Sequence, residues 1–226
     1  MYQFTGSSSA TVQPSDCGAV DGLWSTVAET DPGGQNPPEE YDVGTPILLD
    51  LDRNHFDLTG LADPVPFDID ADGDPEILSW TGGGTLDAFL FLDRNGNNSV
   101  DSGAELFGNR TPLVDGSFAP NGYIPLAELD LPALGGNGNG VIDVGDSMYH
   151  DLGLWIDWDH DGISAPGELL SLPDAGVTRI GLQYLTTRIR DRHGNYFRYV
   201  GRAWILVNGQ ERMLLTTDVF FLVAGS

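Results

Sequence analysis

From Pro46 onward the apolar residues come in short blocks, and each block runs straight into a cluster of Asp, Asn and Gly. Ile47–Leu51, Val65–Ile69, Ala88–Leu92 and Leu152–Trp158 are the clearest cases. Blocks of this length are too short for most helices and suit strands or stub helices. The pattern predicts short helices over Ala104–Phe107, Pro125–Leu129, Ser147–Trp155 and Pro166–Leu170. After Thr178 the texture becomes β, with runs at Arg179–Leu185, Tyr196–Val200, Ala203–Val207, Arg212–Thr216 and Val219–Val223. Asn208-Gly209 between two apolar runs marks a tight hairpin, because both residues tolerate the left-handed backbone that such turns need. Residues 1–44 have a different texture. They are rich in Ser, Thr, Gly and Pro, are interrupted at Asp31-Pro32-Gly33-Gly34 and Asn36-Pro37-Pro38, and read as an extended arm with short strands near Ala10–Gln13 and Leu23–Ala28.

Charge changes this picture. Asp and Glu number 34 against 10 basic residues, all of them Arg, for a formal net charge of -24. A chain this acidic repels itself unless cations neutralise it, and it repels nucleic acid, which is therefore not expected as a partner. The five Trp and the 40% apolar content argue for a packed protein and against a disordered acidic tail. Cys17 is the only cysteine, so no disulfide forms within the chain. No apolar run approaches the roughly 20 residues of a membrane span. Met1-Tyr2-Gln3-Phe4 has neither a basic nor an apolar leader region.

The carboxylates are clustered. Asp157-Trp-Asp159-His-Asp161-Gly162-Ile163-Ser-Ala165-Pro-Gly-Glu168 fills every position of a twelve-residue EF-hand loop. Calcium takes six to eight oxygens, and a short loop supplies them only by turning tightly around the ion. Asp157, Asp159 and Asp161 give carboxylates at positions one, three and five, and Gly162 takes the turn at six. Ile163 offers its carbonyl at seven with its side chain expected in the core, and Glu168 closes the loop at twelve. The segment Asp68-Ile-Asp70-Ala-Asp72-Gly73-Asp74-Pro-Glu76 matches through position six and has Asp74 at seven and Glu76 at nine. Asp93, Asn95, Asn97, Ser99 and Asp101 occupy positions one, three, five, seven and nine of another loop, with Asn98 in the place of Gly and Glu105 one residue beyond the twelfth.

Two clusters are less complete. Asn137, Asn139, Val141, Asp143 and Asp146 match positions three, five, seven, nine and twelve. Position one is Gly135, with Asp130 as the acid able to swing in across residues 132–136. Asp50, Asp52 and Asn54 alternate as required and Phe56 stands at seven, but His55 sits where Gly is usual. Together the loops imply about three to five calcium ions as cofactors. The four His show no paired spacing for zinc, and Gly82-Gly83-Gly84 lacks the following Lys of a phosphate loop. No hydrolase triad can be proposed from residue order. The predicted class is α+β, mainly β: antiparallel sheets with short helices and several EF-hand-like calcium loops. An arm (1–44) precedes a calcium-binding domain (45–226) whose part from 178 to 226 is rich in β-structure.

The order of motifs also resembles a known family. Pro46-Ile-Leu-Leu-Asp50-Leu-Asp52, Phe67-Asp68-Ile-Asp70, Phe91-Leu-Asp93-Arg-Asn95-Gly, Glu105-Leu-Phe-Gly108, Leu154-Trp155-Ile-Asp157 and Gly194-Asn195-Tyr-Phe-Arg198 occur in that sequence. The series is similar to the calcium-binding modules of large secreted bacterial proteins, including the self-processing module of RTX-type iron-regulated proteins, over roughly residues 45–222. The resemblance implies calcium-driven folding outside the cell. In self-processing relatives it also implies cleavage of an Asp-Pro bond through an anhydride that a Lys amine can capture. The matching bond here is Thr45-Pro46, a Thr hydroxyl cannot form that anhydride, and the chain holds no Lys. The expectation is therefore a non-enzymatic, extracellular, calcium-binding structural or adhesion protein. It would fold on export and could assemble as a filament subunit through its N-terminal arm. Self-processing is the alternative.

Overall fold

The structure, a computed structural model, describes residues 44–225. It is mainly β. Its elements are β1 (Ile47–Asp50), β2 (Val65–Phe67), β3 (Glu76–Leu78), β4 (Asp87–Leu92), α1 (Tyr123–Glu128), β5 (Val141–Asp143), β6 (Leu152–Trp155), β7 (Leu169–Ser171), β8 (Val177–Gly181), β9 (Leu185–Arg190), β10 (Tyr196–Val207) and β11 (Gln210–Phe220). Eight strands follow the order β5-β8-β10-β11-β1-β4-β6-β7, with β9 on β10, and β2 pairs β3 in a separate hairpin. Every ladder is antiparallel.

The unbroken apolar runs follow from burial of the central sheet on both faces. Ile47 and Leu49 of β1 join Ala88, Leu90 and Leu92 of β4 on one face, packed with Tyr123 and Leu126 of α1. Leu48, Phe89 and Phe91 point to the other face, where the β2–β3 hairpin brings Phe67 and Trp80 against Trp155 and Phe221. Ring centroids there lie 4.5 Å apart for Trp80–Phe89 and 5.1 Å for Phe89–Trp155.

Several expected elements differ. No helix forms over 104–107, because that backbone is held sideways: Leu92 N donates to Glu105 O (2.9 Å), Phe107 N to Leu90 O (3.0 Å) and Ile47 N to Phe107 O (2.7 Å). The segment 147–155 is a 3-10 turn only to His150, after which β6 is claimed by ladders to β4 and β7. Likewise Leu169 and Leu170 belong to β7, not to a helix. Propensity loses to tertiary pairing in each case. The apolar runs on either side of Asn208-Gly209 are single long strands, β10 and β11, and both turn residues have positive φ (52° and 75°). The arm, its strands and Cys17 lie outside the described residues.

The start of the domain is clamped. Thr45 N donates to Asn109 Oδ1 (2.9 Å), Thr45 Oγ1 accepts from Asn109 N (3.0 Å), and Val219 N donates to Pro46 O (3.1 Å). Gly108 must be Gly here, since a Cβ would come within 1.3 Å of the Thr45 carbonyl oxygen. Beside this clamp Asp218 is completely buried. Its Oδ2 accepts from Gly122 N (2.5 Å), while Oδ1 has no hydrogen-bond partner. Desolvation pushes its carboxyl up to about 7 against the bonds from Gly122 and Thr45. A carboxyl raised in the folded state stabilises the fold fully below its unfolded value, near 4, and that stability is lost as pH rises through about 7. In saturating calcium, stability should fall by about 2 kcal/mol between pH 5.5 and 8.5, and Asp218→Asn should flatten the slope. Denaturant melts across that range test this, and an unchanged slope in the variant would refute it.

Candidate metal centres

Five Asp/Asn/Gly loops share one backbone geometry. In each, the first carboxylate accepts the N–H groups that the loop turns back toward it. Asp157 takes Asp161 N (3.1 Å) and Gly162 N (2.9 Å), and Asp68 takes Asp72 N and Gly73 N (both 3.1 Å). Asp93 takes Asn97 N (3.2 Å) and Asn98 N (2.8 Å), and Asp50 takes Asn54 N (3.1 Å) and His55 N (3.0 Å). In the fourth cluster the first acid is Asp130, which accepts from Gly138 (2.8 Å), Asn139 (3.2 Å) and Gly140 (2.8 Å). Gly135 has no part in that role: the chain loops out over 131–136 so that Asp130 reaches in.

Positive φ recurs at the fourth and sixth places of every loop: Arg53 and His55, Ala71 and Gly73, Gly96 and Asn98, Gly138 and Gly140, His160 and Gly162. His55 (83°) and Asn98 (61°) therefore adopt the turn usually given to Gly, at a cost of about 1 kcal/mol or more that the carboxylate bonds offset.

A second acid closes four of the loops, and in three of them one oxygen sits on an N–H near the loop's start and the other on one near its end. Glu168 takes Trp158 N (2.9 Å) and Ala165 N (3.0 Å), and Glu105 takes Arg94 N (3.1 Å) and Asp101 N (2.9 Å). Asp146 takes Asn137 N (3.0 Å) and Asp143 N (2.8 Å), and Glu76 takes Ile69 N (3.1 Å). Glu105 thus fills the closing role although it stands one residue late. The middle side chains turn to the same loops' carboxylates: Asn95 and Asn97 donate to Asp101 (2.9 and 2.5 Å), and Asn139 donates to Asp143 (3.1 Å). Asp68, Asp70 and Glu76 bring carboxylate oxygens within 4.8 Å of one another, as do Asp157, Asp159 and Glu168. Burial raises Glu76, helped by Asp70 and Asp68, and it raises Asp50, helped by Asp52. Ile163 departs from expectation: its side chain is 68% exposed and does not enter the core, while its N–H donates to Asp161 Oδ1 (2.8 Å).

The loops are wired to the core and to each other. Trp80 Nε1 donates to Asp157 Oδ2 (2.8 Å), and Trp155 Nε1 donates to Glu168 Oε2 (3.3 Å). Ser164 Oγ accepts from Val100 N (2.7 Å) and bonds Ser99 Oγ (2.9 Å), and Gly103 N donates to Asp68 O (2.8 Å). The donor set is hard oxygen, which fits calcium and not zinc. His160 lies within a loop but turns its ring to the Thr81 carbonyl (2.7 Å).

Asp130→Ala removes an acceptor shared by three N–H groups and should destabilise the domain by about 1–3 kcal/mol. Hydrogen exchange should accelerate at Gly138, Asn139 and Gly140 while Asp161 and Gly162 stay protected. Unchanged exchange in the 138–140 stretch would show that another group holds this loop.

Comparison with known proteins adds a lineage to this geometry. A family model described as the SPM domain matches residues 47–221, from the start of β1 to just past β11, with all five loops inside. The chain is 37% identical over 159 residues to the iron-regulated protein FrpA of Neisseria meningitidis serogroup C. That match takes in 69% of this chain but 14% of the relative, so the chain spans a small part of that protein's length. On the family match the chain belongs to the SPM domain family.

Proposed function

We propose that this chain is an extracellular calcium-binding module, structural or adhesive in role and not enzymatic, whose fold is completed by about three to five calcium ions. The observation that carries the reading is the repeated loop, in which a first and a closing carboxylate gather oxygens around one centre. Like charges so placed repel, and a bound dication offsets that repulsion where solvent cannot. EF-hand-like sites that bind at ~10⁻⁴ to 10⁻³ M fill outside cells and stay largely empty inside, so calcium would act as a folding switch on export. Two tryptophans bonded to loop carboxylates supply a built-in reporter. In chelator the protein should be unfolded or molten. Millimolar calcium should raise the melting temperature by more than 10 °C on the order-of-magnitude scale of ligand linkage, and shift tryptophan emission with it. Equal melting temperatures in chelator and in calcium would overturn the reading.

The second reading is self-processing, favoured by one observation: the Thr45-Pro46 bond is held rigidly beside the buried Asp218 carboxyl. Against it stands Thr45 itself, whose hydroxyl cannot form the anhydride. Intact mass after a day in calcium should show no fragment ending at Thr45 or at any Asp before Pro, and Thr45→Asp is the variant in which cleavage could reappear. A fragment from the native chain would make the module an enzyme acting on itself. Assembly through the arm rests on residues outside the described ones. Light scattering of the full chain against one starting at Tyr41 decides it.

A further inference from the structure

The first loop, Asp50 to Asp57, lacks the closing acid that the other four possess. Its first carboxylate behaves as theirs do, and Asp52 Oδ2 accepts from Asn54 Nδ2 (2.7 Å). Within its own sequence no Glu or Asp returns to bond the loop's end. The missing group comes from the neighbouring strand. Asp87, the first residue of β4, stands directly opposite Asp50 in the β1–β4 ladder. It is 2% exposed, and its Oδ2 accepts Asp57 N (2.8 Å), the counterpart of the bonds that Glu168, Glu105 and Asp146 make near the ends of their loops. Its other oxygen, Oδ1, is buried with no hydrogen-bond partner.

We infer that Asp87 is a cation ligand that closes the first loop from an adjacent strand, giving a composite calcium site with Asp50, Asp52 and Asn54. The inference rests on the calcium reading above and adds to it a ligand from outside any loop. Directly opposed carboxylates destabilise a ladder, and a buried acceptor without a donor is costly. A cation between the two resolves both conflicts at once. In the other closing acids the second oxygen has an N–H partner near the loop's start. Here that N–H, on Leu51, is taken by Leu86 O (3.2 Å), which leaves Oδ1 available. Asp57 extends the same acidic face but also meets Arg192 (3.4 Å), so it serves through its N–H.

The test uses the full chain and calcium alone. In wild type, calcium titration followed by amide spectra should move Asn54, His55 and Asp57 as well as Asp161 and Gly162. In Asp87→Asn the calcium midpoint for the first set should weaken at least tenfold, with the second set unchanged. Removing a charge from an unoccupied acidic site should leave the chelated protein no less structured than wild type by circular dichroism. Should Asp87→Asn fail to fold, Asp52→Asn, whose side chain is exposed, should weaken the same midpoint. If the first set titrates identically in wild type and in whichever variant folds, while Asp161 and Gly162 still respond, the inference fails and the calcium reading stands. If no amide responds to calcium in wild type, both fail.

Discussion

The architecture depends on one interaction: a carboxylate at the end of an apolar segment folds the following loop back onto itself by accepting its N–H groups. Asp50 ends β1, Asp68 follows β2, Asp93 follows β4, Asp130 follows the turn after α1, and Asp157 lies two residues beyond β6. Each thus satisfies backbone donors that a tight loop would otherwise strand. The same interaction aims further carboxylates at one point, where two charges 4 Å apart repel by about 4 kcal/mol in a surface-like dielectric. What shapes the loop therefore also concentrates negative charge within it, and repeating that arrangement contributes to the acidity of the chain.

Side-chain bonds couple three of the loops to the core. Trp80 and Trp155 fill the face of the sheet under the β2–β3 hairpin, and both indoles donate to the carboxylates of one loop. Ser164 ties that loop to the one beginning at Asp93, and Gly103 ties the latter to Asp68. Three loops and the aromatic cluster are thus one connected network, so loosening a loop exposes indole nitrogens to an unpaired state inside the core. Hydrogen bonds in such a network strengthen one another.

Local spacing made the loops readable in the sequence because such a loop is a contiguous object: Asp157 to Glu168 carries its hydrogen bonds within twelve residues. Legibility declined with distance. Asp130 reaches its loop across 131–136, and Asp87 reaches the first loop from another strand, a contact that only the β1–β4 register creates. The elements behaved the same way. The hairpin at Asn208-Gly209 is local and was plain, whereas Leu152–Trp155 reads as well as the end of a helix as it does as a strand until β4 and β7 are placed beside it. Ile163 shows the opposite error, since an apolar residue at the seventh position suggested burial that the neighbouring sheet does not provide.

The Thr45-Pro46 junction is held mostly by contacts that do not use the side chain at 45. The clamp is built from backbone and neighbours: Asn109 bonds Thr45 on two atoms, Val219 bonds the Pro46 carbonyl, and Gly108 presses on the Thr45 carbonyl. Of these contacts only the bond from Asn109 N, at Oγ1, and the bond to Asp218 use the Thr45 side chain. An Asp at 45 would place a second carboxyl against buried Asp218, whose Oδ1 already lacks a partner. Two carboxyls so close cannot both ionise, and sharing a proton would raise one of them further. Thr supplies the same short polar reach without that conflict. Thr at 45 therefore suits a junction that begins the sheet.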